Sequence, residues 1–142
     1  MKIIDCIQTA LADEYLAALQ YYNGATLARN TKVKRELRQH AKEELKHADL
    51  LARRIIVLDG TPAPKSKWIA IAFCGYSPPG KSDKLIVQQN IAGEQCAIGY
   101  YTKILNKTEV DFRTKDVVAH ILLNENEHLY DLEDLLEETN CK

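Results

Sequence analysis

The sequence predicts an all-α fold, a bundle of four long helices arranged as two antiparallel hairpins joined by one long crossover. Apolar side chains recur every three or four residues in four separate stretches, which is the helical period. Short polar breaks divide the first stretch from the second and the third from the fourth, whereas a longer segment rich in proline and glycine divides the second from the third. At 142 residues the chain has the usual length of one domain, which is expected to span residues 1–142.

The first hairpin is predicted from two apolar stripes. Helix A is expected over about residues 3–29 and helix B over about residues 32–59. Asn30 and Thr31 are good capping residues between them, and Asp59-Gly60 ends helix B. The short link implies an antiparallel pair. The two stripes consist of Ile4, Ile7, Leu11, Ala18 and Ala25, and of Val33, Leu37, Ala41, Ala48, Leu51, Ile55 and Leu58.

The second hairpin follows a crossover predicted as loop over residues 60–81. Helix C is expected over about residues 83–106, after Ser82, and helix D over about residues 114–138. Helices of about 25 residues are roughly 38 Å long, a distance that a loop of about 20 residues can span, so helices B and C can run parallel. The stripes are Val87, Ile91, Ile98, Tyr101 and Leu105, and Val118, Ile121, Leu132 and Leu135.

Composition and charge exclude several classes of function. The formal net charge is −1 and no run of lysine or arginine is present, so electrostatic binding of nucleic acid is not expected. The longest apolar stretch, residues 68–73, is far shorter than the roughly 20 residues that cross a bilayer. We therefore expect a cytoplasmic protein that does not associate with membranes.

Each apolar stripe is interrupted by one glutamate in a register where an apolar residue belongs. These four residues are Glu14, Glu44, Glu94 and Glu125, and all are predicted to point inward. Helices B and D also place a histidine, His47 and His128, three residues after the glutamate. Because residues three apart share one helix face, each Glu/His pair can hold one metal ion.

The two halves of the chain repeat this pattern. The interval from Glu14 to Glu44 and the interval from Glu94 to Glu125 differ by a single position. A tyrosine also lies two helical turns after the first glutamate of each half, in Tyr21 and Tyr101. The chain thus resembles two copies of one metal-binding hairpin, and each buried phenol is predicted to reach a ligand carboxylate of the other half.

The energy of burying these carboxylates favours a metal site. Four ionised, unpartnered carboxylates would each cost several kcal/mol, a sum comparable to the roughly 5–15 kcal/mol stability of a whole domain. Either some of the glutamates are protonated or hydrated, or cations neutralise them. Four carboxylates with two neutral imidazoles balance two divalent ions, and this donor set suits iron or manganese better than structural zinc.

At these residues the chain resembles the bacterioferritins and the Dps-like miniferritins with a bacterioferritin-type site inside each subunit. The segments that carry the resemblance are ADEYLAALQYY, EELKHADLLARRIIVLDGTP, GEQCAIGYY and NENEHLYDLEDLL. The resemblance implies a ferritin-like bundle whose six Glu and His residues bind two iron ions per subunit. It also implies a ferroxidase that oxidises Fe(II) with oxygen or hydrogen peroxide and stores ferric mineral in a hollow shell, relieving oxidative stress.

Some positions depart from the bacterioferritin pattern. Leu45 stands where the family's haem-ligating methionine would be, so haem is not expected there. The sequence after His128 is short, so no fifth helix is expected, and this favours a Dps-like homododecamer. Cys74 and Cys96 resemble the cysteine pair of thioferritins, which implies a redox pair beside the iron site; the alternative is two unlinked buried thiols, because cytoplasmic disulfides are uncommon.

Other functions stay open on the sequence alone. The same ligands serve di-iron oxygenases, hydroxylases and peroxidases of the superfamily, and a metal-free structural bundle is a third class. His40 and His120 could both approach the inner helix faces, where a structural role is expected of each.

Overall fold

The computed structural model describes residues 2–140, which contain helices and turns but no strands, so the all-helical prediction is confirmed. No helix within this part of the chain is long and apolar enough to cross a membrane. Residues 1, 141 and 142 lie outside it. The α-helices are α1 (Ile3–Leu27), α2 (Thr31–Val57), α3 (Trp68–Ile71), α4 (Asp83–Leu105) and α5 (Phe112–Asn140), and a 3₁₀ turn spans Lys65–Lys67.

The four long helices pack as two hairpins, α1 with α2 and α4 with α5. The direction of α4 against α1 follows from two contacts, because Tyr21 reaches Glu94 while Glu14, two turns earlier in α1, reaches Tyr101, later in α4. These two helices are therefore antiparallel. Since α1 and α2 are also antiparallel across their short link, α2 and α4 run in the same direction, and the segment between them must return along the bundle.

Polar contacts at both ends align α2 with α5 in the antiparallel sense. Near the start of α2, Lys32 pairs with Glu138, and near its end Arg54 bonds Asp111 and Thr114. Asp111 caps the first turn of α5 by accepting from the Thr114 N–H and hydroxyl. This cap explains why α5 begins after Asp111, since an aspartate there satisfies amide groups that lack helical partners.

A short fifth helix, α3, corrects the prediction that the crossover is entirely loop and that the fold has no fifth helix. It lies inside the crossover, next to α1, and not after the last long helix. Pro64 precedes the 3₁₀ turn that leads into it. The Trp68 indole stacks on Tyr15 at 4.1 Å and donates to the Ala63 carbonyl. Such tertiary contacts stabilise a helix too short to form alone.

Polar side chains along α1 hold the crossover against the bundle. Gln8 donates to the Thr61 carbonyl and accepts from the Ala63 N–H. Asp13 accepts from three successive backbone N–H groups, those of residues 73–75. Further along α1, Gln20 accepts from the Ser77 N–H. The crossover therefore lies over α1 along most of its length.

The apolar core is divided into two clusters. One includes Ile7, Leu51 and Ile121 and the other includes Leu37 and Leu132, all with 0% exposure. The buried glutamates and histidines belong to neither cluster. They form a polar layer between two well-packed apolar ends.

Candidate metal centre

All six predicted ligands are buried and come together in the polar layer. The four long helices each contribute one glutamate, and α2 and α5 each add the histidine one turn later. The exposed fractions are 2% for Glu14, 0% for Glu44, 2% for His47, 3% for Glu94, 1% for Glu125 and 2% for His128.

The six residues form two overlapping groups of donor atoms. Within each group, one ligand atom from every residue lies within 4.8 Å of the others. The first group, the A position, consists of Glu14, Glu44, His47 and Glu125, and the second, the B position, consists of Glu44, Glu94, Glu125 and His128. Glu44 and Glu125 are common to both, so the two positions share a pair of carboxylates.

Each histidine directs its Nδ1 atom at the carboxylates. His47 Nδ1 lies 3.2 Å from Glu125 Oε1 and 3.5 Å from Glu14 Oε2. His128 Nδ1 lies 2.9 Å from Glu44 Oε1 and 3.5 Å from Glu94 Oε1. The Nδ1 atoms are therefore the nitrogen donors available to a cation.

The opposite ring nitrogens are held by two residues that sequence reasoning missed. His47 Nε2 lies 3.1 Å from Asn124 Oδ1, and His128 Nε2 contacts Glu43 Oε2. Each of these partners immediately precedes a shared glutamate. That matching position in the two halves is the sequence signal that could have found them. A hydrogen bond donated by this outer nitrogen, Nε2, fixes the ring and leaves Nδ1 free to bind metal.

Two buried tyrosines link the halves. Tyr21 donates to Glu94 Oε1 at 2.7 Å, and Tyr101 donates to Glu14 Oε1 at 2.6 Å. Burial, followed by the negative charge of nearby carboxylates, raises the pKa of both phenols well above the usual value. Both tyrosines are therefore neutral donors that orient carboxylates of the opposite half.

The carboxylates do not share one protonation state. Burial and repulsion from Glu125 raise the pKa of Glu44, and the same two causes raise that of Glu94 to about 8. Burial would also raise the pKa of Glu125, but the nearby imidazoles of His128 and His47 lower it below its ordinary value. Groups this close titrate together, so without a cation the cluster keeps protons among its carboxylates.

The histidines also hold protons in the absence of a cation. Burial alone would lower the pKa of His47. The close carboxylates, chiefly that of Glu125, outweigh this effect and raise the pKa of His47 to about 10. The same balance, with Glu125 and Glu94, raises the pKa of His128 to about 11. Metal binding at Nδ1 must displace these protons, because imidazole binds metal in its neutral form.

The donor atoms fit a pair of metal ions. Buried polar atoms without a hydrogen bond include at least one from each of the six residues: Glu14 Oε2, both oxygens of Glu44, His47 Nδ1, Glu94 Oε2, Glu125 Oε1 and His128 Nδ1. Buried polar atoms normally have partners, and a carboxylate-rich set with one imidazole per ion provides hard, oxygen-dominated coordination. The same residues would hold one ion at each position, with Glu44 and Glu125 between them.

A cavity of about 140 Å³ leads from the crossover to the carboxylates. Its lining includes Glu14, Glu44, Glu94, Cys74 and Cys96. Cys74 and Cys96 form a disulfide with their Cα atoms 5.9 Å apart. The disulfide therefore joins the crossover to α4 at the wall of this cavity, in place of the alternative of two unlinked thiols.

The remaining two histidines differ in position. His40 is buried, stacks on His128 with ring centroids 4.3 Å apart, and its Nε2 lies 3.4 Å from Asp131 Oδ2. Burial and the nearby His128 lower the pKa of His40 to about 4, so it is neutral. His120 is exposed and does not approach the inner face.

Comparison with known proteins identifies the family. Residues 4–141 match the model of the ferritin-like domain. The chain is 30% identical to the DNA protection during starvation protein of Pyrococcus furiosus, over 95% of this chain and 77% of that protein. It is 28% identical to a bacterial ferritin of Pseudomonas aeruginosa, over 95% of this chain and 86% of that one.

Solved structures agree with this assignment. The bacterioferritin-related protein of Bacteroides fragilis, described as a dodecameric thioferritin, superposes with a TM-score of 0.92 at 39% identity, covering 97% of this chain and 86% of that chain. The Dps of Thermosynechococcus elongatus shares the fold with a TM-score of 0.89 at 20% identity, covering 94% and 89%. The chain therefore belongs to the ferritin family and has a ferritin-like fold.

Proposed function

We propose that this protein is a ferroxidase that binds two Fe(II) ions per chain, oxidises them with oxygen or hydrogen peroxide, and keeps the ferric product inside a hollow homo-oligomer. The observation that carries the proposal is the pair of overlapping ligand groups that share Glu44 and Glu125. Two positions with common carboxylates keep two ions close together. Oxidation of two Fe(II) ions releases two electrons at once, the number that one molecule of hydrogen peroxide takes up in forming water.

The surrounding protein groups support this chemistry. His47 and His128 present Nδ1 to the ions, while Asn124 and Glu43 hold their other nitrogens. Tyr21 and Tyr101 orient the two outer glutamates. The glutamates can give up protons on loading and accept charge as Fe(II) becomes Fe(III).

The size of the adjacent cavity favours a small oxidant. Its volume is about 140 Å³, whereas sites for drug-sized organic ligands usually measure roughly 300–1,000 Å³. Oxygen or hydrogen peroxide fits such a space. This supports iron oxidation over the hydroxylation of a large organic substrate by the same ligands.

We propose a homododecamer as the storage shell. The support is the Bacteroides fragilis relative, described as dodecameric, which is similar over 97% of this chain. Several large apolar side chains of the isolated chain are also exposed, among them Ile69 at 79%, Phe112 at 77% and Tyr130 at 71%. Exposed apolar side chains of this size are suited to contacts between subunits.

Stopped-flow oxidation of Fe(II) tests the ferroxidase proposal. The Glu44→Ala variant removes a ligand common to both positions, and we expect it to lose rapid Fe(II) oxidation. Glu127→Ala is the matched control, because Glu127 lies between the ligands Glu125 and His128 in the sequence but its side chain is exposed. Full activity of Glu44→Ala would refute the assignment, as would equal losses in both variants.

A further inference from the structure

The residues that form the two metal positions are nearly symmetric, but some of the residues around them differ between the two positions. Along the sequence, Tyr101 follows Glu94 at the same interval as Tyr21 follows Glu14. His128 likewise follows Glu125 at the same interval as His47 follows Glu44. The ligands and tyrosines of the A position therefore have chemically identical counterparts at the B position. Any difference between the positions must come from the residues around them.

The partners of the two histidines are the first difference. A neutral amide, Asn124, accepts at the outer nitrogen of His47, whereas a carboxylate, Glu43, accepts at the outer nitrogen of His128. Asn124 and Glu43 occupy matching places in the repeat, since each directly precedes the shared glutamate of its own helix. At this place in the repeat, the two halves of the chain therefore differ by one full negative charge.

The neighbourhood of His40 is the second difference. His40 stacks on His128 and contacts Asp131 on the same side of the bundle. When α2 is aligned with α5 by their Glu/His pairs, Ile121 matches His40 and Leu50 matches Asp131. Both of these apolar residues belong to or pack against an apolar cluster. His40, with Asp131 beyond it, therefore lies beside the B position, whereas the residues at the matching places in the other half are apolar.

We propose that the two positions are unequal, and that the B position binds metal more tightly and fills first. A carboxylate on the outer nitrogen makes an imidazole a stronger donor than an amide does, and it adds negative charge near the cation. Glu43 is the residue that sets this order, acting through His128. The A position is then the one that exchanges its ion more readily. This inference rests on the proposed function, because it assumes that the six residues bind metal.

The size of the effect follows from similar contacts in metalloproteins. Changing such an outer partner typically alters metal affinity by about 10- to 100-fold. Because Glu43 is partly exposed, with a side-chain exposure of 34%, we expect the lower end of that range. Glu43→Gln should weaken the first binding step about ten-fold, and Asn124→Asp should strengthen the second by a similar factor.

Cobalt provides the probe, since Co(II) binds the same donors and is not oxidised by air under mild conditions. Metal-free protein is given one Co(II) per chain, crystallised, and measured at the cobalt absorption edge. We expect the anomalous signal at Glu94 and His128 in the native protein. In the double variant Glu43→Gln with Asn124→Asp it should move to Glu14 and His47. Glu36→Gln, which removes a charge elsewhere on α2, should leave the distribution unchanged.

Calorimetric titration with Co(II) supplies the second measurement. Two steps of unequal affinity in the native protein, brought closer together by Glu43→Gln, support the proposal. Equal occupancy at one ion per chain, or a preference for Glu14 and His47 in the native protein, overturns it. If that occurs while Glu44→Ala still abolishes Fe(II) oxidation, the proposed function stands and only the order of filling is wrong. Absence of Co(II) binding at the six residues overturns both.

Discussion

At the scale of single residues, hydrogen bonds between buried polar groups give the site its shape. The tyrosine of each half reaches a glutamate of the other, so the two hairpins are joined at their centre as well as through the apolar clusters. Each histidine has one nitrogen held and one free. These contacts restrict the ligands before any ion arrives, which lowers the cost of binding.

Removal of one phenol tests this restriction. In Tyr21→Phe, Glu94 loses a donor at 2.7 Å, and we expect the affinity for Co(II) to fall about ten-fold in calorimetric titration. Tyr22→Phe is the control, because Tyr22 is 36% exposed and lies on the outer side of α1. Native affinity in Tyr21→Phe would show that the phenol has no part in holding the ligand.

At the scale of elements, the polar residues of α1 determine the path of the crossover. Asp13 alone accepts from three backbone N–H groups, and Gln8 and Gln20 bond the segment on either side. The crossover covers one wall of the cavity beside the candidate metal centre. The order of this segment therefore affects access to the site.

Loss of the Asp13 carboxylate should loosen the crossover. In Asp13→Ala the amides of residues 73–75 lose their acceptor, and we expect hydrogen exchange at them to quicken and the free energy of unfolding to fall by about 1–3 kcal/mol. Asp5→Ala, at an exposed position in the first turn of the same helix, should leave hydrogen exchange at these three amides unchanged. Unchanged exchange at these three amides would contradict this account of the crossover.

The cap of α5 makes a separate prediction. Asp111 accepts from the Thr114 N–H and hydroxyl and from Arg54, so Asp111→Ala should lower the free energy of unfolding by about 1–2 kcal/mol. The change is measured as a lower urea midpoint. Asp116→Ala, an exposed substitution in the same helix, is the comparison. Equal midpoints for the two variants would show that the cap does not stabilise α5.

The elements that the sequence predicted are those that depend on local patterns. Apolar stripes at the helical period indicated four long helices, and Asn30 and Ser82 cap α2 and α4 as expected. The short helix α3 was missed because it depends on Trp68 stacking on Tyr15, which is distant in the sequence. Glu43 was missed for a similar reason: beside a predicted ligand it reads as a surface glutamate, and only the packing of α5 against α2 brings it to His128.

For the whole molecule, we expect the polar layer to make stability depend on metal and pH. Four carboxylates in the centre of the bundle are tolerated without metal because protons are kept among them and on the histidines. Ions that replaced these protons would bind only the folded chain, since its four helices bring the proposed ligands together. Metal loading should therefore stabilise the protein.

The pH dependence of the metal-free protein follows from the direction of the pKa shifts. The folded chain keeps protons on Glu94 (pKa about 8), His47 (about 10) and His128 (about 11) that the unfolded chain releases at its ordinary values of 4.5 and 6.5. Stability from these groups is complete below the ordinary values and is lost as pH rises toward the folded values. We expect the melting temperature of metal-free protein to fall between pH 6.5 and pH 8.

Metal should counteract this trend. Because the ions bind deprotonated ligands, the rise in melting temperature on adding Co(II) should be larger at pH 8 than at pH 6.5. Differential scanning calorimetry of metal-free and Co(II)-loaded protein checks both statements. His120→Gln, at an exposed histidine, should leave the profile unchanged. A metal-free melting temperature that rises over this range would contradict the assignment of protons to the buried cluster.

Diffraction at the iron absorption edge, from crystals loaded with Fe(II) in the absence of oxygen, tests directly whether six buried residues from four helices bind two iron ions. We expect two anomalous peaks per chain, one beside Glu14 and His47 and one beside Glu94 and His128, with Glu44 and Glu125 between them. A map without iron at these residues, or with iron bound only elsewhere on the chain, would contradict the account.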